Sequence, residues 1–263
     1  MSSTTFDQTA TEVEEARGEL KVFNLVVGLI HLAQAIAMLM LSNDFSLPVT
    51  RNFMAGPPGT EPTFDPWFSV ALGPAVALFL FLAAADHILM AMPGVNSWYN
   101  GMLAREQNQA RWMEYSISAS LMMVLIAMIT GVTDFGAILA IFGVNTAMIL
   151  FGAVQEMMSR PSEGRVNWWP YIFGCIAGAV PWIIVVMQIW TSEQEGFSAP
   201  TFVYAIIVSL FILFNTFSVN MVLQYKRVGK WSSYVYGEKV YITISLIAKS
   251  LLAWQIFANT LVG

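Results

Sequence analysis

The sequence predicts an all-α fold, a bundle of seven transmembrane helices, on three observations. Apolar residues make up 57% of the 263-residue chain and charged residues only 11%, where a soluble domain carries about a quarter charged. Apolar stretches of roughly twenty residues recur, each long enough to cross about 30 Å of hydrocarbon. They do not alternate and run to about twice the roughly ten residues of a barrel strand, so the spans are helices.

The first span, Val22–Leu41, follows Arg17 and Lys21. The acidic stretch before it, "MSSTTFDQTATEVEEARGEL", has no basic n-region or cleavable apolar core, so it is not a signal peptide. Residues 1–21 are expected to form an acidic cytoplasmic tail on a single membrane domain, 22–263. The connection "SNDFSLPVTRNFMAGPPGTEPTFDPW", residues 42–67, carries a Gly-Pro-Pro-Gly turn whose flanks suit either a short β-ribbon or a plain connector. The second span is Phe68–Met92, and Arg105 and Arg111 lie between it and the body of the third, Asn108–Ile129. Phe135–Met157 is the fourth; Arg160 and Arg165 precede the fifth, Trp168–Trp190. After the sixth, Pro200–Gln224, come Lys226, Arg227, Lys230 and Lys239, around the start of the seventh, Glu238–Leu261.

These basic residues set the orientation. Ten lie on one side of the spans, Arg51 alone on the other, and Lys249 inside the membrane. The N-terminus is therefore expected in the cytoplasm and the C-terminus outside, in a multi-pass protein of the plasma membrane. A net charge of −5 says little about nucleic acid by itself, but no basic patch with interleaved aromatics occurs, so no nucleic-acid partner is expected. The single cysteine, Cys175, excludes an intrachain disulfide and a Cys-based metal site, and reads as a small core residue. No metal and no enzymatic activity are expected.

Few ionisable residues fall within the spans: His31, Asp86, His87, Glu114, Glu156 and Lys249. A Lys or Asp at a helix centre costs about 2.5–3.5 kcal/mol to insert, so such groups face the bundle interior and mark sites. Lys249 stands eleven residues after Glu238, about 16 Å along a helix. Glu114 enters from the same side on the third span. The two depths agree if that span begins near Arg105, and the pairing weakens if Arg111 marks the boundary. Ser245 and Ser118 lie four residues from Lys249 and Glu114, each on its neighbour's face. Asn24, His31 and Gln34 form a polar stripe on the first span, and His87 sits near the cytoplasmic end of the second. Together they suggest a polar cavity in the cytoplasmic half. Asp86 points about 100° from His87 and is expected to pair at the interface; Glu156, near a span end, is expected to snorkel.

A buried lysine has three readings: a packing salt bridge, an ion switch in a transporter, or covalent chemistry. A desolvated lysine amine forms a Schiff base with a carbonyl compound, and its protonated form needs one nearby carboxylate as counterion. Seven spans, a lysine in the seventh and a carboxylate in the third fit a retinal aldehyde better than a transporter.

"RWMEYSIS", Arg111 to Ser118, resembles the third-helix motif of microbial rhodopsins. Other stretches are similar to the heliorhodopsin family: "NDFSLPVT" with "GPPGT" in the first outside loop, "AIFGVN" at 140–145 and "FGCIAGAVPW" at 173–182. "LQYK" with "GKWS" at 223–232 and "SLIAKSLLAWQIF" at 245–257 complete the set, and the resemblance runs from about residue 20 to the C-terminus. It implies an inverted seven-helix retinal protein with a slow photocycle, and a homodimer joined through a β-ribbon in the first outside loop. By motif, Lys249 carries all-trans retinal covalently and Glu114 is the counterion. His31, His87, Asn24, Gln34 and Ser245 line the Schiff-base cavity, while Tyr115, Phe214 and Trp254 are pocket candidates. Asp86 is a departure, since the family implies an apolar residue beside that histidine.

Pumps of the better-known type carry a carboxylate four residues before the lysine and another eleven after the counterion. Those places hold Ser245 and Leu125. A proton that leaves and returns on one side moves no net charge. The expected function is a light sensor that signals to a cytoplasmic protein partner; the alternative is a light-gated proton conductance or weak transporter.

Overall fold

The computed structural model describes residues 2–261, with side chains from 8 to 260. Among the described residues, seven helices are long and apolar enough to cross a membrane. They fall in α1 (Ser2–Leu41), α2 (Leu72–Ala91), α4 (Gln109–Ile129), α5 (Phe135–Met158), α6 (Trp169–Gln194), α7 (Thr201–Tyr225) and α8 (Tyr234–Ile256). A helix satisfies its own backbone hydrogen bonds, which hydrocarbon requires of any lipid-exposed span. Many large apolar side chains accordingly face outward, among them Ile176, Val208 and Ile212.

The first connection is a β-ribbon. Strands β1 (Ser46–Met54) and β2 (Pro62–Ala71) pair antiparallel, with an irregularity between Val49 and Thr50. Their turn is closed by Thr60 N–H donating to the Pro57 carbonyl at 3.0 Å. Gly59 takes φ +98 there, where a side chain would be strained. Thr50 N–H donates to the Thr133 carbonyl at 2.8 Å, which pins the ribbon to the α4–α5 loop. Because Phe68 to Ala71 belong to β2, α2 starts later than the second span was expected to.

The opposite end of the bundle, where the basic residues collect, departs further from expectation. A short helix, α3 (Val95–Leu103), lies between α2 and α4. Residues 2–21 are no separate tail: α1 continues through them without a break. Val13 and Leu20 are buried against Met90, Tyr99, Leu103, Tyr234 and Val235. Arg17 donates to Ser97 at 2.9 Å, Glu12 accepts from Ser233, and Glu19 pairs with Lys239 at 2.6 Å. The apolar side chains at 13 and 20, seven apart, share one helix face, and that face holds the stretch down despite its acidic surface.

Caps set the phase of the two helices that matter most. Asn108 begins α4, its side chain accepting from Arg111 N–H at 3.1 Å; Ser233 begins α8, accepting from Tyr236 N–H at 2.9 Å. Between α4 and α5, Asn145 donates to Ser120 at 3.0 Å and Ser120 meets Thr146 at 3.1 Å, a polar seam across an otherwise apolar contact.

Candidate functional site

Lys249 and Glu114 meet inside the bundle. Nζ lies 2.8 Å from Oε1 and 2.9 Å from Oε2, with the side chains 3% and 7% exposed. Such low exposure places the pair out of reach of solvent screening. The pair forms although α4 begins at Gln109, close to Arg111 rather than Arg105, and Arg111 is itself buried there. Lys249 Nζ also stands 5.1 Å from the Tyr115 ring centroid, and Tyr115 Oη donates to the Tyr241 carbonyl at 3.2 Å.

His31 and His87 stack with ring centroids 5.9 Å apart. Asn24 Nδ2 donates to the Leu20 carbonyl at 2.9 Å, which leaves Asn24 Oδ1 as the acceptor facing His87 Nδ1 at 2.7 Å. His87 therefore carries its proton on Nδ1 and directs Nε2 elsewhere. Both histidines lie within the electrostatic reach of Lys249. Among the described residues, neither His31 nitrogen, nor Ser118 Oγ, nor Ser245 Oγ has a hydrogen-bond partner, although all are buried. Buried polar atoms of this kind are the usual partners of internal water.

On the other side of Lys249 lies an apolar cavity of about 660 Å³. Tyr115 and Phe214 line it, together with Ser245, Trp112, Trp182 and Phe217. Lys249 is the one charged group among its described lining residues. Trp182 packs edge-on to Phe211 and Phe214 at 5.2 and 5.7 Å. The volume lies within the range of about 300–1,000 Å³ of small-molecule sites. An apolar slot with one amine on its wall fits a polyene aldehyde such as retinal.

One expected pocket member lies elsewhere. Trp254 is 40% exposed and lines no part of the cavity; its Nε1 donates to Gln34 Oε1 at 3.1 Å. Gln34 is half-buried and meets α8 through that bond. The cause for Trp254 is helical phase: five residues after Lys249 is a rotation of about 140°. Asp86 is half-buried and has no hydrogen bond or ion pair among the described residues.

A second charged cluster was not foreseen. Arg111 bonds both Glu156 and Glu238, all three side chains 4% exposed or less. Asn108 completes it, its backbone N–H donating to Glu156 at 2.8 Å and its Nδ2 to Glu238 at 2.6 Å. The guanidinium stacks 4.0 Å from the Tyr241 ring centroid and 4.8 Å from that of Trp112. Glu156 is thus buried rather than snorkelling.

The heliorhodopsin family model matches residues 20–261. Among solved structures, the fold is similar to a light-driven proton pump, LR (Mac), from Leptosphaeria maculans, with a TM-score of 0.64 and 15% identity over 91% of this chain and 95% of that one. It is similar also to a thermophilic rhodopsin, with a TM-score of 0.54 and 12% identity over 98% and 94%. At these identities the likeness shows the fold alone. No curated protein matches the sequence. The family match takes in every membrane span and the ribbon between the first two, so this chain belongs to the heliorhodopsin family and is a multi-pass membrane protein of the retinal photoreceptor class.

Proposed function

We propose that residues 22–263 form a light sensor in which Lys249 holds all-trans retinal covalently, as a protonated Schiff base with Glu114 as its counterion, and which signals rather than pumps. The observation that carries this reading is the buried Lys249–Glu114 pair at the wall of the apolar cavity. Retinal, when bound, supplies the light absorption and the isomerisation. The protein supplies the rest. Glu114 keeps positive charge on the lysine nitrogen stable in a site with little solvent. Tyr115, Trp182 and Phe214 restrict the cavity to a flat apolar guest. His31 and His87 offer nearby nitrogens that accept a proton and return it on the same side, in a slow cycle with no net transfer. Ser245 and Leu125 stand where vectorial transfer needs carboxylates.

The positive-inside rule puts the basic end, with α3 and the docked start of α1, in the cytoplasm. That surface is where a protein partner would read the light-driven change. A homodimer through the ribbon is supported by its exposed aromatics, Phe53, Phe64, Trp67 and Phe68.

The test combines a pigment and a current. Purified protein given all-trans retinal should develop a visible absorption band, and cells expressing it should show no stationary photocurrent under voltage clamp. A colourless protein would favour a retinal-free transporter. A photocurrent that reverses with the proton gradient would make the protein a light-gated conductance instead. Glu114→Gln should move the visible band to longer wavelength, because the carboxylate that stabilises positive charge at the nitrogen is gone. An unchanged spectrum would assign the counterion role to another group.

A further inference from the structure

At the basic end of the bundle, a groove of about 520 Å³ lies between α1 and the start of α3. Glu14, Arg17, Gly18 and Lys21 line it from α1, with Gly94 and Ser97 opposite. Three of these precede residue 20, where the family match begins, so the docked start of α1 builds the groove.

Its polar groups are held in place. Arg17 Nη2 donates to Ser97 Oγ at 2.9 Å, and Nε donates to Asn96 Oδ1 at 3.4 Å. Asn96 is buried and anchored by donating to the Met90 carbonyl at 2.9 Å. The contact between Arg17 and Glu14 is long, 3.4 Å. Lys21 is exposed and has no hydrogen bond or ion pair among the described residues. A Cβ added at Gly18 or Gly94 would meet nothing within 4 Å, so the groove has room for a guest. Two cations and one carboxylate leave it with a single net positive charge.

Position says what covers it. Glu14, Gly18, Lys21 and Leu25 are spaced by four, three and four, so they share one face of α1. Beyond Lys21 that face is apolar and exposed at Leu25 and Leu29, which is the face hydrocarbon covers. Trp98, next to Ser97, is 53% exposed, and tryptophan is enriched at the level of lipid headgroups. The groove therefore stands where hydrocarbon gives way to water.

We propose that this groove binds the headgroup of an anionic phospholipid, with the phosphodiester beside Lys21 and Arg17 and a headgroup hydroxyl donating to Glu14. One negative charge, as phosphatidylglycerol carries, balances the groove. The inference stands apart from the retinal reading.

Native mass spectrometry of the full chain in detergent tests it, with phosphatidylglycerol or phosphatidylcholine of the same acyl chains added. The native protein should retain a first phosphatidylglycerol in preference to phosphatidylcholine. Lys21→Gln should weaken that binding about fivefold, the worth of one cation near a membrane surface, and Lys21→Arg should keep it. Gly18→Leu keeps every charge but fills the groove. It too should lose the preference, with no loss of thermal stability, since leucine favours a helix over glycine. Lys226→Gln removes an exposed cation of the same end that lies outside the groove, and should change nothing. Equal retention of the two lipids, or a preference that survives both Lys21→Gln and Gly18→Leu, would overturn the proposal. An equal loss in Lys226→Gln would also overturn it, by making the preference one for overall charge. So would displacement of the lipid by soluble glycerol phosphate at comparable concentration, which would make the ligand a free phosphate.

Discussion

Lys249→Ala is expected to abolish the visible band that all-trans retinal gives with the native protein. Lys249 is the one amine among the described residues that line the cavity, and the other lysines lie toward the basic end of the bundle. No neighbour can take over the linkage, so the loss should be complete. A band surviving the substitution would refute the attachment. The same change should weaken the retinal-free protein. It leaves the Glu114 carboxylate, 7% exposed, without its cation, and removing one partner of a buried pair costs about 3–5 kcal/mol. Lys249→Ala/Glu114→Gln removes both charges and should recover most of that loss in thermal unfolding. If the double variant is no more stable than the single one, then Glu114 is satisfied by something other than Lys249.

What the sequence disclosed follows from what a membrane does to a helix. Lys249 and Glu114 were legible because an ion in hydrocarbon is costly enough to demand a reason, whereas counting depth along the two helices left their pairing open. Asn24 and His31, seven apart, share a face and do reach the interior. Trp254 was grouped with Lys249 although it is turned by about 140°, and it lines no part of the apolar cavity; Gln34, turned by about 60° from His31, bonds Trp254 instead. The cluster at Arg111 was hidden for a different reason. Arg111, Glu156 and Glu238 each lie near a span end, where a charged side chain reaching for water is the ordinary outcome. Only the packing of α4, α5 and α8 brings them together. The docked start of α1 was masked by its acidic composition, although Val13 and Leu20 carry the contact.

Arg111→Ala should be the most damaging substitution away from the lysine. It strands two carboxylates, Glu156 and Glu238, which are 2% and 1% exposed, and the cost should reach or exceed the upper end of about 3–5 kcal/mol. Arg111→Lys should rescue little. An ammonium is a compact point charge, whereas this guanidinium bonds two acids in its plane while stacking on Tyr241 and Trp112. Arg111→Met combined with Glu156→Gln and Glu238→Gln should be more stable than Arg111→Ala, since it leaves no stranded charge. Thermal unfolding of the purified proteins decides the order, and equal stability of Arg111→Lys and the native protein would deny the role of the planar fork. The cluster also bears on the pigment. Arg111 stands three residues before Glu114 and Glu238 eleven before Lys249, so the cluster clamps together the two helices that carry the pair. Arg111→Ala should therefore still form a pigment when kept cold, but lose it on warming well before the native protein, whereas Lys249→Ala forms none at any temperature.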